Sequence, residues 1–364
     1  MPGTPSSPGI HVAVRDDRLD LLRGLCLLKM FLTHLWPQPV DLQPLFGFVS
    51  AAEGFFLISG VTTGIVYRSR AAKLGIQAAT SALLRRSVRL YLLNLALIFI
   101  FFAAETTHIL PYSQLRPAGF SPFDLLSFNQ PYFLQVLPRY ALYLAFAPLV
   151  LVALRRGWTV LLLAISLLFW AAVQIFGRGL ALPFVEHGPY GFLVLAWQLP
   201  FFGGMIAGFH RERLGEGWRA LSSFSRLVLP ALLFSGFVIL GLAHFNGLLD
   251  RGGEGMARLF GREQLAPGRL IDLLCAAAFL FALTDRFLIP LRRFAGWLLL
   301  PFGRHALYIF LAHIATYGLC LILGPWLPFR LDGHPVRLAI ADLLHFSLLW
   351  ALARWTPLRR QLAL

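Results

Sequence analysis

The chain has 364 residues, of which 58% are hydrophobic and only 13% charged, with a mean hydropathy of +0.70. Soluble domains carry about 25% charged residues, so an ordinary soluble protein is excluded and the length is better counted in membrane spans of about 20 residues. The net charge of +15 does not make a nucleic-acid binder, because the basic residues sit in short segments between apolar runs rather than on one soluble face.

In chain order, residues 1–18 are polar and read as a disordered cytoplasmic N-terminus without a cleavable signal peptide. Ten apolar runs follow, at 19–36, 46–67, 88–104, 132–154, 159–176, 191–209, 227–245, 270–289, 304–323 and 337–353. Lipid offers no partner to an open backbone, so each run is expected to be helical. Pro138 is expected to bend the fourth. The piece Phe294–Phe302 is too short to span and reads as interfacial or re-entrant. The expected fold is therefore all-α: a polytopic integral membrane protein, one ten-helix domain over 19–354, and a short cytoplasmic tail at 355–364. Counted by alternate loops, 21 Lys and Arg fall on one side and seven on the other, which puts both termini in the cytoplasm. Cys26, Cys275 and Cys320 lie within apolar runs as small hydrophobes, and no metal-ligand spacing is present.

The first run, RLDLLRGLCLLKMFLTHLW, holds costly ionisable residues. Arg23 and His34 stand eleven residues apart, close to three whole turns, so they share a helix face with Asp20, Leu27 and Met30; Lys29 lies off it. Along the axis they are about 16 Å apart. A cation therefore sits near the cytoplasmic mouth and a proton acceptor near the far one. The alternative is that both side chains snorkel to headgroups. In the second run, SAAEGFFLISG, Glu53 is placed one to two turns in from the outer side, near the depth of His34. A carboxylate there orients an imidazole and fixes its tautomer. Otherwise it pairs with Lys29 or Arg139, or stays a neutral buried acid. Gly54, Gly60 and Gly64 permit close helix packing.

RDDRLDLLRGLCLLKMFLTHLW and SAAEGFFLISGVTTGIVY together resemble the opening of the OpgC family, bacterial inner-membrane proteins implicated in succinylating osmoregulated periplasmic glucans. Arg23 and His34 are similar to the Arg-x10-His pattern of the acyltransferase-3 superfamily, and FFLISG to its FFxxSG segment. Fainter likenesses are LLRRSVRLY, VLPRYALYL, AWQLPFFGG and PFGRHALYIF. Thr33 departs from the family, where an acid often precedes the histidine, and this shifts weight onto Glu53.

The resemblance implies a multi-pass protein of the bacterial inner membrane with no tightly bound cofactor. It would move an acyl group, succinyl by the resemblance, from cytoplasmic acyl-CoA to a hydroxyl of an envelope glycan. His34 would be the general base with Glu53 holding its ring, by direct transfer or through an acyl-histidine. Arg23, on one stripe with Asp20, would line the donor path, and Arg139 would meet a succinyl carboxylate. Arg85, Arg86 and Arg89 either dock CoA phosphates or simply anchor the loop. Trp197 and Gln198 contact a sugar or only pack. His305, Tyr308 and His313 are further cavity candidates, with a headgroup contact the simpler role for His305. The loop at 246–269 is the best place for an acceptor lid. Competing classes are an O-acetyltransferase of another polysaccharide, a secondary transporter with a charged path, and a non-catalytic partner of a glycan exporter.

Overall fold

All ten apolar runs contain a helix in the computed structural model, which describes residues 15–34, 43–106, 135–182, 192–249, 254–323 and 335–354. The helices are α1 (Asp17–His34), α2 (Ala51–Leu74), α3 (Ile76–Thr106), α4 (Val136–Arg155), α5 (Thr159–Phe176), α6 (Val194–Phe209) and α7 (Arg211–Ala220). They continue with α8 (Leu229–Phe245), α9 (Glu254–Phe260), α10 (Pro267–Arg286), α11 (Leu288–Phe294), α12 (Gly296–Arg304), α13 (Ala306–Leu323) and α14 (Pro335–Arg354). No strand occurs among the described residues.

The protein is a helical membrane protein, although among the described residues fewer than ten helices meet the length and composition of a membrane span. Five described stretches qualify: Gln43–Leu74, Val136–Arg155, Thr159–Leu180, Phe224–Phe245 and Pro267–Arg286. A sixth forms if α12 and the start of α13, bent by 94° at their junction, count as one span. Two of the other runs fall short for visible reasons. Helix α6 has only 16 residues, and α1 carries Asp17, Arg18, Asp20, Arg23 and Lys29. Pro138 is not the bend expected of it. It is the third residue of α4, where a missing N–H breaks no helical bond, and Pro148 is the proline inside the helix.

Among the candidate spans α5 and α8 are the least buried, and their Val160, Ile175, Leu232 and Ile239 are exposed, as suits lipid-facing residues. The centre is α2 against α6, and glycine sets their separation. A Cβ on Gly60 or Gly64 would run into the carbonyls of Phe201 and Met205; one on Gly204 or Gly208 would meet those of Leu57 and Val61. Backbones this close are the reward of small residues in a membrane interface. A second seam joins α1 to α12, where Gly24 abuts the Leu299 carbonyl and Gly303 the Asp20 carbonyl. Phe55, Phe56, Tyr143, Trp197 and Phe201 fill the core beside the first seam. Gly47, at φ +61°, lets the segment before α2 turn tightly against the buried carboxylate of Asp272, which accepts the Phe48 N–H at 2.7 Å.

Candidate functional site

Helix α1 presents two working stripes about two fifths of a turn apart. One, made by Arg18, Leu22, Leu25, Cys26 and Lys29, faces a cleft of about 750 Å³ walled by α2, α7 and α10. At the N-terminal end of α1 the cleft is polar, with Arg18, Arg211 and Arg219 beside Asp16, Glu212 and Asp285. Burial there pushes the Asp16 carboxyl up, yet the Arg18 guanidinium bonded to it at 2.7 Å outweighs this and holds it below its ordinary value. The walls are then apolar as far as Lys29 and Ser50. Lys29 is buried, donates to the Val49 carbonyl, and sits 4.2 Å from the centre of the Phe46 ring.

The second stripe carries Asp20, Arg23 and His34 toward α12 and α13. Arg23 donates to the Thr62 hydroxyl and, at 3.4 Å, to the Gly303 carbonyl, so it ties α1 to α2 and α12. Eleven residues on, Nδ1 of His34 lies 2.9 Å from Nε2 of His313, whose own Nδ1 lies 2.9 Å from Nε2 of His345. Phe31 packs on the His313 ring with centroids 4.4 Å apart. His313 and His345 are only 1% and 6% exposed. His34 also lines a small pocket of about 30 Å³ with Ser50, Ala52, Phe192 and Arg262. Ser50 thus belongs to the walls of both cavities.

A family model described as OpgC protein matches residues 15–361, nearly the whole chain. The protein belongs to the OpgC family. No curated protein and no solved structure matches it. OpgC membership points to acyl transfer at a membrane as the class of chemistry.

Against the expectations for an OpgC protein, Arg23 and His34 do share a face, but Glu53 does not hold His34. Ser50 is the N-cap of α2, and Glu53, three residues later, accepts the Ser50 N–H at 2.9 Å and the Ser50 hydroxyl. This places Glu53 in the first turn rather than one to two turns into the helix. Its other oxygen is bonded to Arg269, itself buried. The signal was present: Ser-Ala-Ala-Glu is the spacing of a capping box, which commits the carboxylate to its own helix end.

Other expected contacts also fall elsewhere. Arg23 stands off the cleft, because the cleft lies along the other stripe of α1. Asp20 is buried against Arg15 at 2.5 Å. Arg139 is 2% exposed and donates to the carbonyls of Phe192 (2.8 Å) and Gln135 (3.0 Å), so two of its guanidinium nitrogens are given to backbone. Trp197 is fully buried, with its indole N–H on the Arg262 and Glu263 carbonyls at 3.1 and 3.0 Å; it packs and lines neither cavity. Arg85 and Arg89 are exposed on α3 and Arg86 leans on Tyr140, all away from the cleft whose basic residues are Arg18, Arg211 and Arg219.

The part of the 246–269 loop that is described folds down as α9 and a turn. It is tied by Arg178–Glu263 at 2.7 Å and brings Arg262 to the pocket of His34. Among the described residues no three metal-ligating side chains converge on a point.

Proposed function

We propose that this protein is an O-acyltransferase that moves an acyl group from cytoplasmic acyl-CoA to a hydroxyl of an envelope glycan. Succinyl is the acyl group and periplasmic glucan the acceptor, as the family likeness implies. Ten spans with both termini cytoplasmic suit this reading, supported by the 21-to-seven division of basic loop residues. The bacterial inner membrane is the matching location.

The observation that carries the reading is the shared wall at Ser50 between the long cleft and the pocket of His34. A donor phosphate group suits Arg18, Arg211 and Arg219, since guanidinium pairs with phosphate oxygens in bidentate fashion. The apolar cleft suits the thin pantetheine arm behind it, and the thioester would then lie near Ser50. His34 would take the acceptor hydroxyl's proton as that oxygen attacks the thioester carbonyl. Arg23 holds α1 in register with α2 and α12 and acts at a distance from the reacting atoms.

The test uses membranes containing wild type or His34→Ala in equal amounts, supplied with labelled succinyl-CoA and periplasmic glucan. Label should pass to glucan with wild type and fall by about a hundredfold or more in the variant. Equal transfer by both would remove His34 from the chemistry. No transfer by wild type, with acetyl-CoA and other envelope glycans included, would sink the enzyme reading and favour a transporter.

A further inference from the structure

His34, His313 and His345 come from three helices, α1, α13 and α14, and meet through two N···N contacts of 2.9 Å. A neutral imidazole has one N–H and one lone pair. His313 spends Nε2 on His34 and Nδ1 on His345, so when all three rings are neutral the chain can run in only two directions. With the proton on Nδ1 of every ring, each ring donates forward and the lone pair of His34 is on Nε2. A general base needs that polarity. The reverse polarity puts a proton on that same nitrogen.

We propose that His313 and His345 act on acyl transfer through His34, as a relay that carries the acceptor's proton away from α1 into the middle of α14. The relay rests on the acyl-transfer reading of His34. The acceptor O–H gives its proton to Nε2 of His34 while its oxygen bonds to the thioester carbonyl carbon. The Nδ1 proton of His34 passes to Nε2 of His313, and the Nδ1 proton of His313 passes to Nε2 of His345. His34 and His313 end neutral in their other tautomers, and His345 becomes an imidazolium. When the carbon–sulfur bond breaks, the same path returns the proton to the departing thiolate, so ester and free thiol are the only products.

Charge placement gives the reason for a relay. Arg262 stands on the wall of the same small pocket as His34, and a cation disfavours an imidazolium left beside it. Glu53 faces Arg262 as well as Arg269, so one carboxylate stands against two guanidiniums beside this pocket. Two transfers move the positive charge two rings away from Arg262. His345 lies ten residues from the start of α14 and nine from its end, about 15 Å from either. On the same helix, Asp342 stands one turn from it. A metal centre is the competing use of three histidines, but it needs three lone pairs aimed at one ion about 2.0–2.1 Å from each. Here both nitrogens of His313 are spent on its neighbours.

The experiment compares full-length wild type, His345→Gln and His345→Ala in nanodiscs, each with 15N-labelled histidine. Glutamine can still accept from Nδ1–H of His313 through its carbonyl, but it cannot take up a proton. The relay requires kcat to fall at least about tenfold in both variants with the KM for acyl-CoA unchanged, and the 15N resonances of His34 and His313 to shift in His345→Gln. A His345→Gln protein that turns over like wild type, even if His345→Ala is slow, reduces His345 to packing and overturns the relay. So do unmoved His34 and His313 resonances, or one zinc ion per chain in the purified protein. If wild type transfers no acyl group, the acyl-transfer reading fails by itself. The 15N spectra then decide whether the chain of Nδ1–H tautomers exists.

Discussion

At its N-terminal end α1 meets its neighbours through partly exposed ion pairs: Arg18 to Asp285 at 2.5 Å, and Asp17 to Arg304 and Arg292 at 2.9 and 3.3 Å. Around its C-terminal end the polar groups are buried and used differently. There the Glu53–Arg269 pair is closed off from solvent, and His34 enters a chain of imidazoles. The side chains of Arg304 and Arg292 are 40% and 55% exposed, whereas Glu53 is fully buried. Water screens and solvates the first set, so mismatches there are cheap. In the second set each charge needs a partner, because desolvation goes uncompensated without one.

The contrast can be broken at its most costly point by Arg269→Met, which strands the Glu53 carboxylate. We expect a loss of about 3–5 kcal/mol, read as a large fall in Tm in detergent, with most of it recovered on adding Glu53→Gln. If Arg269→Met alone leaves Tm unmoved, the buried end is more solvated than its geometry indicates. An intermediate effect belongs to the glycine seam of α2 and α6. Gly208→Ala drives a methyl into the Val61 carbonyl and should cost about 1–3 kcal/mol, visible as a lower Tm without loss of the residual helical signal in circular dichroism. The smallest effect is expected from Arg292→Gln at the exposed end, at most about 1 kcal/mol. A drop as large as that of Arg269→Met would erase the distinction between the ends.

The helices were legible because apolar runs and the demands of lipid leave the backbone one option. The shared face of Arg23 and His34 was legible too, since helical spacing alone decides it. What spacing does not encode is which other helix stands opposite. Arg269 is 216 residues from Glu53 and His313 is 279 from His34, so neither contact leaves a local trace in the chain. The sequence marks His313 only as a cavity candidate and leaves His345 unmarked, because a lone histidine in an apolar run carries no sign of its neighbours. The role of Glu53 is readable in the chain: Ser50 three residues ahead of it marks a helix start, and a helix start has its own claim on the carboxylate. The cleft was hidden for another reason. Its basic mouth draws Arg18 from before the first run and Arg211 and Arg219 from a short helix after the sixth, a union made only by folding.

The sharp turn between α12 and α13 has a consequence for tolerances. Near one end α1 is pinned to α12 at Gly24, Gly303 and Arg23, and at the other it is pinned to α13 through His34. With the 94° corner as its apex, the arrangement is a closed triangle, the one polygon that cannot shear without stretching a side. The position of the His34 imidazole is therefore fixed by triangulation rather than by the stiffness of a single helix. A sideways push on the N-terminal end of α1 must either turn the whole frame or break one of its three joints.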